Sequence, residues 1–164
     1  MPDLRAMQKD MIVGVIGAGT MGSGIAQIAA QAGHEVVLFD MRQQALDASR
    51  SALKKVMERL VEKGRVKVDE AKAIQNRFTY ATEINAFADC GLVIEAVIED
   101  LAIKKQLFEQ LGSTVGPNAI LATNTSSLSV TSIAACLLYT SPSPRDRTRS
   151  RMPSSACKKK LQHA

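Results

Sequence analysis

The chain has 164 residues and carries 21 Lys or Arg against 16 Asp or Glu, a formal net charge of +5. Seven of these bases and one acid follow residue 135, so the first 135 residues carry a net charge of −1 and do not indicate a nucleic-acid-binding protein. No apolar run reaches the length of a membrane span, which predicts a soluble protein. Cys90 is the one cysteine before residue 136, which predicts a reducing compartment such as the cytoplasm, with an organellar location left open.

The first predicted strand, Ile12–Ile16, leads directly into a glycine-rich turn. This turn consists of Gly17, Ala18, Gly19, Thr20, Met21 and Gly22. The G-x-G-x-x-G spacing before a helix predicts a dinucleotide site, because the glycines permit a tight turn, a close approach of pyrophosphate and close packing of the helix on the strand. The helix, predicted over Met21–Ala32, would direct its free N–H groups at the phosphates. A glycine turn that binds no nucleotide is the alternative, and FAD proteins share the motif.

The second predicted strand, Val36–Phe39, ends at Asp40, 18 residues after Gly22. A carboxylate at this strand end can accept hydrogen bonds from an adenosine ribose and repel a 2′-phosphate, which favours NAD over NADP. The alternative for Asp40 is a solvated acid at a strand end.

Two consecutive helices, Arg42–Lys63 and Val68–Asn76, form a predicted helical hairpin where a simple crossover has one helix. Its charged face is typical of a solvated surface. The alternative is a lysine-rich arm in which Lys55 and Lys63 contact the phosphates of a large anionic substrate.

Three further strands are predicted at Phe78–Ala81, Leu92–Ala96 and Ile120–Thr123, with a helix at Ala102–Val115 before the last of them. Strands alternating with helices, each strand apolar without strict alternation, predict an α/β fold: a Rossmann-type, doubly wound parallel sheet. Cys90 lies beside a buried strand and is interpreted as a small core residue. No metal site is expected.

Two later motifs, LVIEAVIEDLAIKKQLF at Leu92–Phe108 and ATNTSSLSVTSIA at Ala122–Ala134, follow strands at the sheet edge that binds ligands in such folds. Together with the glycine turn and the hairpin, they resemble the NAD-binding domain of the L-3-hydroxyacyl-CoA dehydrogenase family, most of all its bacterial 3-hydroxybutyryl-CoA members. The resemblance covers residues 11–135.

The resemblance implies a role for each matching residue. Gly17 to Gly22 would bind the pyrophosphate, and Asp40 would bind the adenosine ribose. Glu99 and Lys104 would bind the nicotinamide-side ribose. Asn124 would line the nicotinamide pocket, and Ser126 would contact both the cofactor and the 3-oxygen of the substrate. Alternatively, Glu99 is an acid that the helix dipole stabilises at a helix start, Lys104 is its partner on the helix surface, and Ser126 caps a helix.

The implied activity is the NAD-dependent interconversion of (3S)-3-hydroxyacyl-CoA and 3-oxoacyl-CoA, in fatty acid or butanoate metabolism. The implied parent is a homodimer held by a C-terminal helical domain that is missing here. The family's catalytic histidine is also missing, since His34 lies at the opposite sheet edge, and Ala52 stands where the family places a serine that touches CoA. We therefore expect the chain itself to be inactive. Another NAD-dependent hydroxyacid dehydrogenase, such as a gulonate type, and a non-catalytic NAD-binding module are the alternatives.

Residues 136–164 lose apolar periodicity and are rich in Ser, Pro and basic residues. CLLYTSPSPRD and SRMPSSA match the translation of a transposase-type sequencing adapter. We interpret this segment as a non-native, disordered tail and residues 1–135 as the truncated NAD-binding domain. A natural basic tail is the alternative.

Overall fold

A computed structural model describes residues 10–97, 100–124 and 156–159. In chain order the helices and strands are β1 (Val13–Ile16), α1 (Thr20–Gln31), β2 (Val36–Phe39), α2 (Gln43–Glu62), α3 (Val68–Asn76), β3 (Phe78–Ala81), a 3₁₀ helix (Ile84–Phe87), β4 (Leu92–Glu95), α4 (Leu101–Thr114), β5 (Ile120–Thr123) and β6 (Ala156–Lys159). The five predicted strands and four predicted helices are therefore confirmed, with ends displaced by at most one residue.

The strands form one sheet in the order β3-β2-β1-β4-β5-β6. The first five are parallel, so β1 lies in the centre between β2 and β4. The order reverses direction beside β1, because β2 and β3 follow on one side of it and β4 and β5 on the other. This reversal opens a crevice at the carboxyl ends of β1 and β4, the position at which doubly wound sheets bind ligands.

Each face of the sheet has its own apolar core, which explains why the strands lack strict alternation. On one face, α1, α2 and α3 cover a cluster that includes Val15, Leu38 and Met57. On the other face, the 3₁₀ helix and α4 cover a cluster that includes Phe87 and Leu121. Burial on both faces fixes the strands in place and holds their carboxyl ends at one common edge.

The helical hairpin is confirmed as α2 followed by α3, and α2 packs on the sheet through Leu46, Leu53 and Met57. Two arginines connect the hairpin to α1 and to the sheet. Arg77, at the end of α3, donates from Nη1 to the carbonyl oxygen of Ala30 at 2.8 Å, and the Arg50 guanidinium lies 4.4 Å from the ring centroid of Tyr80 in β3. The hairpin is therefore held as part of the domain.

The strand β6 differs from the sequence prediction. Ala156–Lys159 pairs antiparallel with β5, although residues 136–164 were predicted to be disordered. That prediction is wrong for these four residues. The physical reason is the open edge of β5, whose unpaired N–H and C=O groups can accept a neighbouring strand of any sequence.

None of the helices in the described part of the chain has the length and apolar character needed to cross a membrane.

Candidate functional site

The glycine turn follows β1 at the centre of the sheet, and its shape depends on two missing side chains. Gly17 has a φ of +101°, and a Cβ there would stand 2.6 Å from the carbonyl oxygen of Ala96. A Cβ on Gly22 would stand 1.7 Å from the carbonyl oxygen of Gly17. The first glycine therefore fits the turn against the end of β4, and the last brings α1 into contact with the turn.

Gly19 has a different environment from Gly17 and Gly22. A Cβ at Gly19 would meet no atom within 4 Å, so it would point into open space. Gly19 is the N-cap of α1 and supplies no side-chain oxygen to the first N–H groups of the helix, and Thr20 and Met21 beside it are exposed. These N–H groups and the positive end of the helix dipole face the open space, which is the arrangement that binds a phosphate.

Asp40 joins the end of β2 to the glycine turn. Its Oδ2 accepts a hydrogen bond from the Ala18 backbone N–H at 3.1 Å, and its Oδ1 accepts one from the Arg42 backbone N–H at 2.9 Å. The Arg42 guanidinium lies over the same carboxylate, with Nε 3.3 Å from Oδ1. The carboxylate therefore fixes the position of the turn as well as facing the ligand edge.

Burial raises the pKa of Asp40, but the hydrogen bonds from Arg42 and Ala18 and the charge of Arg42 outweigh it, and the pKa lies below its ordinary value of 3.8. Asp40 is therefore ionised at neutral pH, as an acceptor of ribose hydroxyl groups must be.

A buried ionic cluster lies at the ends of β4 and β5. The side chains of Glu95 and Lys104 are fully buried, and Lys104 Nζ lies 3.3 Å from Glu95 Oε2. The same oxygen accepts a hydrogen bond from Thr123 Oγ1, and Oε1 accepts one from the Val97 backbone N–H at 2.7 Å. Glu95 thus holds together the end of β5, the chain leaving β4 and the first turns of α4.

The glycine turn and the ionic cluster form one continuous edge. The turn touches β4 where Gly17 faces the carbonyl oxygen of Ala96. The backbone N–H of Asn124 donates to the carbonyl oxygen of Glu95 at 2.9 Å, which places Asn124 beside the end of β4. Asp40, the glycine turn, Glu95 and Asn124 therefore follow one another along the carboxyl ends of β2, β1, β4 and β5.

The structure brings together Gly17 to Gly22, Asp40, Lys104 and Asn124 among the predicted site residues. Glu99 and Ser126 lie outside the described residues, so their roles stay predictions. Lys104 lies beneath the edge, against Glu95, and its contact with a ribose also stays a prediction. Lys55 and Lys63 are exposed on α2 and at its end, as both interpretations of the hairpin require.

His34 and Cys90 were not assigned to the site. His34 Nδ1 lies 3.0 Å from the carbonyl oxygen of Met11, at the amino end of β1. Cys90 is buried, and the loss of solvation together with the Asp89 charge raises the pKa of its thiol to about 12. A thiol with such a pKa is a poor nucleophile at neutral pH.

Glu95 and Thr123 were missed by sequence reasoning. They are the last residues of two apolar strands, β4 and β5, whose sequence pattern predicts only core residues. The usable signal was the rarity of a buried glutamate: a Glu at the end of a parallel strand needs a counter-charge, and Lys104 on the following helix provides it.

The comparisons with known proteins agree on one family. Residues 12–141 match the model of the family "3-hydroxyacyl-CoA dehydrogenase, NAD binding domain", a range that ends six residues beyond the predicted domain boundary. The chain is similar to a "Probable 3-hydroxybutyryl-CoA dehydrogenase" of Deinococcus radiodurans, with 47% identity over 76% of this chain and 44% of that protein. A 3-hydroxybutyryl-CoA dehydrogenase of Mycobacterium tuberculosis is 44% identical over 75% of this chain and 43% of its own.

Solved structures give the same result. The 3-hydroxybutyryl-CoA dehydrogenase of Escherichia coli K12 aligns with a TM-score of 0.75 and 41% identity, over 77% of this chain and 27% of that chain. The (S)-3-hydroxybutyryl-CoA dehydrogenase of Ralstonia eutropha aligns with a TM-score of 0.74 and 34% identity, over 77% of this chain and 45% of that chain. The chain thus spans less than half the length of these relatives.

Proposed function

The chain belongs to the 3-hydroxyacyl-CoA dehydrogenase family, whose NAD binding domain it matches, and on this premise we propose that it forms the cofactor half of an enzyme that interconverts (3S)-3-hydroxyacyl-CoA and 3-oxoacyl-CoA. The observation that carries the proposal is the glycine turn. Its outer glycines are held by close contacts, while the middle one faces open space at a helix start. The residues present therefore fit a bound pyrophosphate.

The chemistry that NAD would supply when bound is acceptance of a hydride from carbon 3 of the substrate, or donation of that hydride from NADH in the reverse direction. The chain's own residues hold and orient the cofactor. The N–H groups at the start of α1 would bind the pyrophosphate, and the ionised Asp40 would accept hydrogen bonds from the adenosine ribose. By the family resemblance, Glu99 and Lys104 would contact the second ribose, and Asn124 would line the nicotinamide pocket.

We assign Ser126, two residues after Asn124, to the substrate. A serine hydroxyl can donate a hydrogen bond to the 3-oxygen as charge develops on it and can hold carbon 3 on the hydride path. The proposal includes contact of Lys55 and Lys63 with the CoA phosphates, a homodimeric whole protein and a cytoplasmic location. The exposure of both lysines on the hairpin supports their contact with the CoA phosphates.

The proposal is tested by a graft into a complete relative. Residues 11–135 replace the matched segment of the M. tuberculosis 3-hydroxybutyryl-CoA dehydrogenase, and NADH oxidation is followed with acetoacetyl-CoA. We expect turnover by the graft and a fall in kcat of about 100-fold in its Ser126→Ala variant, the cost of losing one hydrogen-bond donor to a developing oxyanion. Ser129→Ala, which removes a hydroxyl from the same segment, is the matched control.

Three outcomes of the graft experiment differ in meaning. Turnover with acetoacetyl-CoA that depends on Ser126 supports the proposal. A graft that binds NADH but reduces only free 3-oxoacids contradicts the thioester substrate and favours a hydroxyacid dehydrogenase. A folded graft that binds NADH and reduces neither class of substrate contradicts an enzymatic role for this domain.

A further inference from the structure

Arg42 lies two residues after Asp40, on the ligand side of the strand end. Its Nε lies 3.3 Å from Asp40 Oδ1 and its Nη2 lies 3.5 Å from Oδ2, so the guanidinium spans both carboxylate oxygens. The two side chains differ in exposure: that of Arg42 is 75% exposed, and that of Asp40 is 11% exposed. An exposed guanidinium therefore lies against a carboxylate that is itself mostly buried.

The hydrogen bonds of Asp40 show that the guanidinium competes with a ligand for this carboxylate. Each carboxylate oxygen offers two lone pairs. One on Oδ1 is used by the Arg42 backbone N–H and one on Oδ2 by the Ala18 backbone N–H. These two bonds come from the backbone, and the guanidinium lies against the same two oxygens, where their remaining lone pairs are. A ribose diol that donates to Asp40 must therefore compete with the guanidinium of Arg42.

We propose that Arg42 determines how strictly this edge distinguishes NAD from NADP, an inference that rests on the proposed NAD site. A ribose diol displaces the guanidinium from Asp40, and because the arginine is long and exposed, its charge stays beside the 2′-oxygen. A 2′-phosphate in that position is repelled by Asp40 but forms a charge-assisted, forked contact with Arg42. Arg42 thus offsets part of the exclusion of NADP that Asp40 alone would impose.

The test uses two nucleotides that differ only in the 2′-phosphate, 5′-AMP and adenosine 2′,5′-bisphosphate. Both are titrated into the 164-residue chain, and amide chemical shifts give the two dissociation constants. In Arg42→Ala we expect the affinity for the bisphosphate to fall about tenfold relative to that for AMP, the loss of one charge-assisted contact. Arg42→Lys keeps the charge without the fork and should recover part of the loss.

Arg65→Ala is the matched control, because it removes an equal charge from an exposed arginine in the turn after α2. In this variant, the ratio of the affinities for the two nucleotides should stay within about twofold of the ratio in the unmodified chain. An equal loss of affinity for both nucleotides in Arg42→Ala overturns the inference, since Arg42 would then only position Asp40. An equal change in Arg65→Ala also overturns it. Failure of the unmodified chain to bind either nucleotide instead contradicts the NAD site itself.

Discussion

The two halves of the ligand edge are built in opposite ways. The half at β1 and β2 uses missing side chains and backbone N–H groups, and its charged side chain, Asp40, accepts a hydrogen bond from the glycine turn. The half at β4 and β5 uses a fully buried ion pair, Glu95 with Lys104, joined by Thr123. The first half is a local feature of one stretch of sequence, whereas the second brings together residues from three elements.

This difference predicts how each half fails. Backbone groups at a helix start remain in place as long as the helix packs, so the glycine half loses function only when a side chain enters it. A buried ion pair costs desolvation on both partners and is stable only while both are present. Substitutions in the second half should therefore affect folding before they affect binding.

The largest effect is expected for Glu95→Leu. This change removes the carboxylate 3.3 Å from the buried Lys104 ammonium, and losing one member of a buried pair costs about 3–5 kcal/mol in the free energy of unfolding. Urea denaturation followed by circular dichroism measures it. The double variant Glu95→Leu with Lys104→Met should be more stable than the single one by at least about 1 kcal/mol, because no uncompensated charge remains. A double variant no more stable than the single one would show that the hydrogen bonds to Val97 and Thr123 matter instead.

The three glycines at the start of α1 separate packing from binding. Gly22→Ala places a Cβ 1.7 Å from the Gly17 carbonyl oxygen and should cost about 1–3 kcal/mol or more in stability. Gly19→Ala meets no atom within 4 Å, so stability should change by less than about 1 kcal/mol while NAD binding weakens at least about tenfold. Gly24→Ala, also in open space and inside α1, is the control and should add about 0.5–1 kcal/mol to stability with NAD binding unchanged. Unimpaired NAD binding by Gly19→Ala would contradict the pyrophosphate site.

The half at β2 has one pH-dependent element, Asp40. Its pKa in the folded chain lies below the ordinary value of 3.8, so the stability it contributes is present above pH 3.8 and is lost as the pH falls through the folded pKa. At pH 7, Asp40→Asn should lower the free energy of unfolding by about 1–3 kcal/mol, since one of two backbone N–H groups loses its acceptor. Denaturation at a series of pH values should show this difference shrinking below pH 3.8; a constant difference would mean that the charge of Asp40 contributes nothing.

The smallest effects are expected on α2, away from both halves. Lys55→Ala and Lys63→Ala remove exposed charges and should change stability by less than about 0.5 kcal/mol. In the grafted enzyme each should raise the KM for acetoacetyl-CoA by about two- to fivefold, an effect that salt at about 0.5 M removes. Lys67→Ala, between α2 and α3, is the charge-matched control. An equal KM change in all three variants would indicate a solvated face without a specific contact.

The two halves also differ in how far sequence reasoning could go. Gly17, Gly19, Gly22 and Asp40 were predicted because their function depends on local spacing along one strand, helix and strand. The hairpin of α2 and α3 was predicted because its apolar periodicity and the glycine at 64 mark a helix end. These features depend on neighbours in the chain and need no knowledge of tertiary contacts.

The second half could be predicted only in part. The two motifs at the ends of β4 and β5 identified Lys104 and Asn124. A pattern of apolar residues, however, cannot show that Glu95, Lys104 and Thr123 meet, because their meeting depends on the order of β4 and β5 in the sheet. For the same reason the contact of Asp40 with Ala18 was not predicted, although both residues were. The strand β6 depends on an open sheet edge and left no sequence signal.

Binding of NAD at this edge can be measured by titrating NAD into the ¹⁵N-labelled chain. We expect saturable chemical-shift changes at the amides of Ala18, Gly19 and Thr20 and at Asn124 across the crevice. We expect none at His34, on the opposite edge of the sheet. An NAD site at the glycine turn would be contradicted by chemical-shift changes at His34 with none at the turn, or by no binding at millimolar NAD.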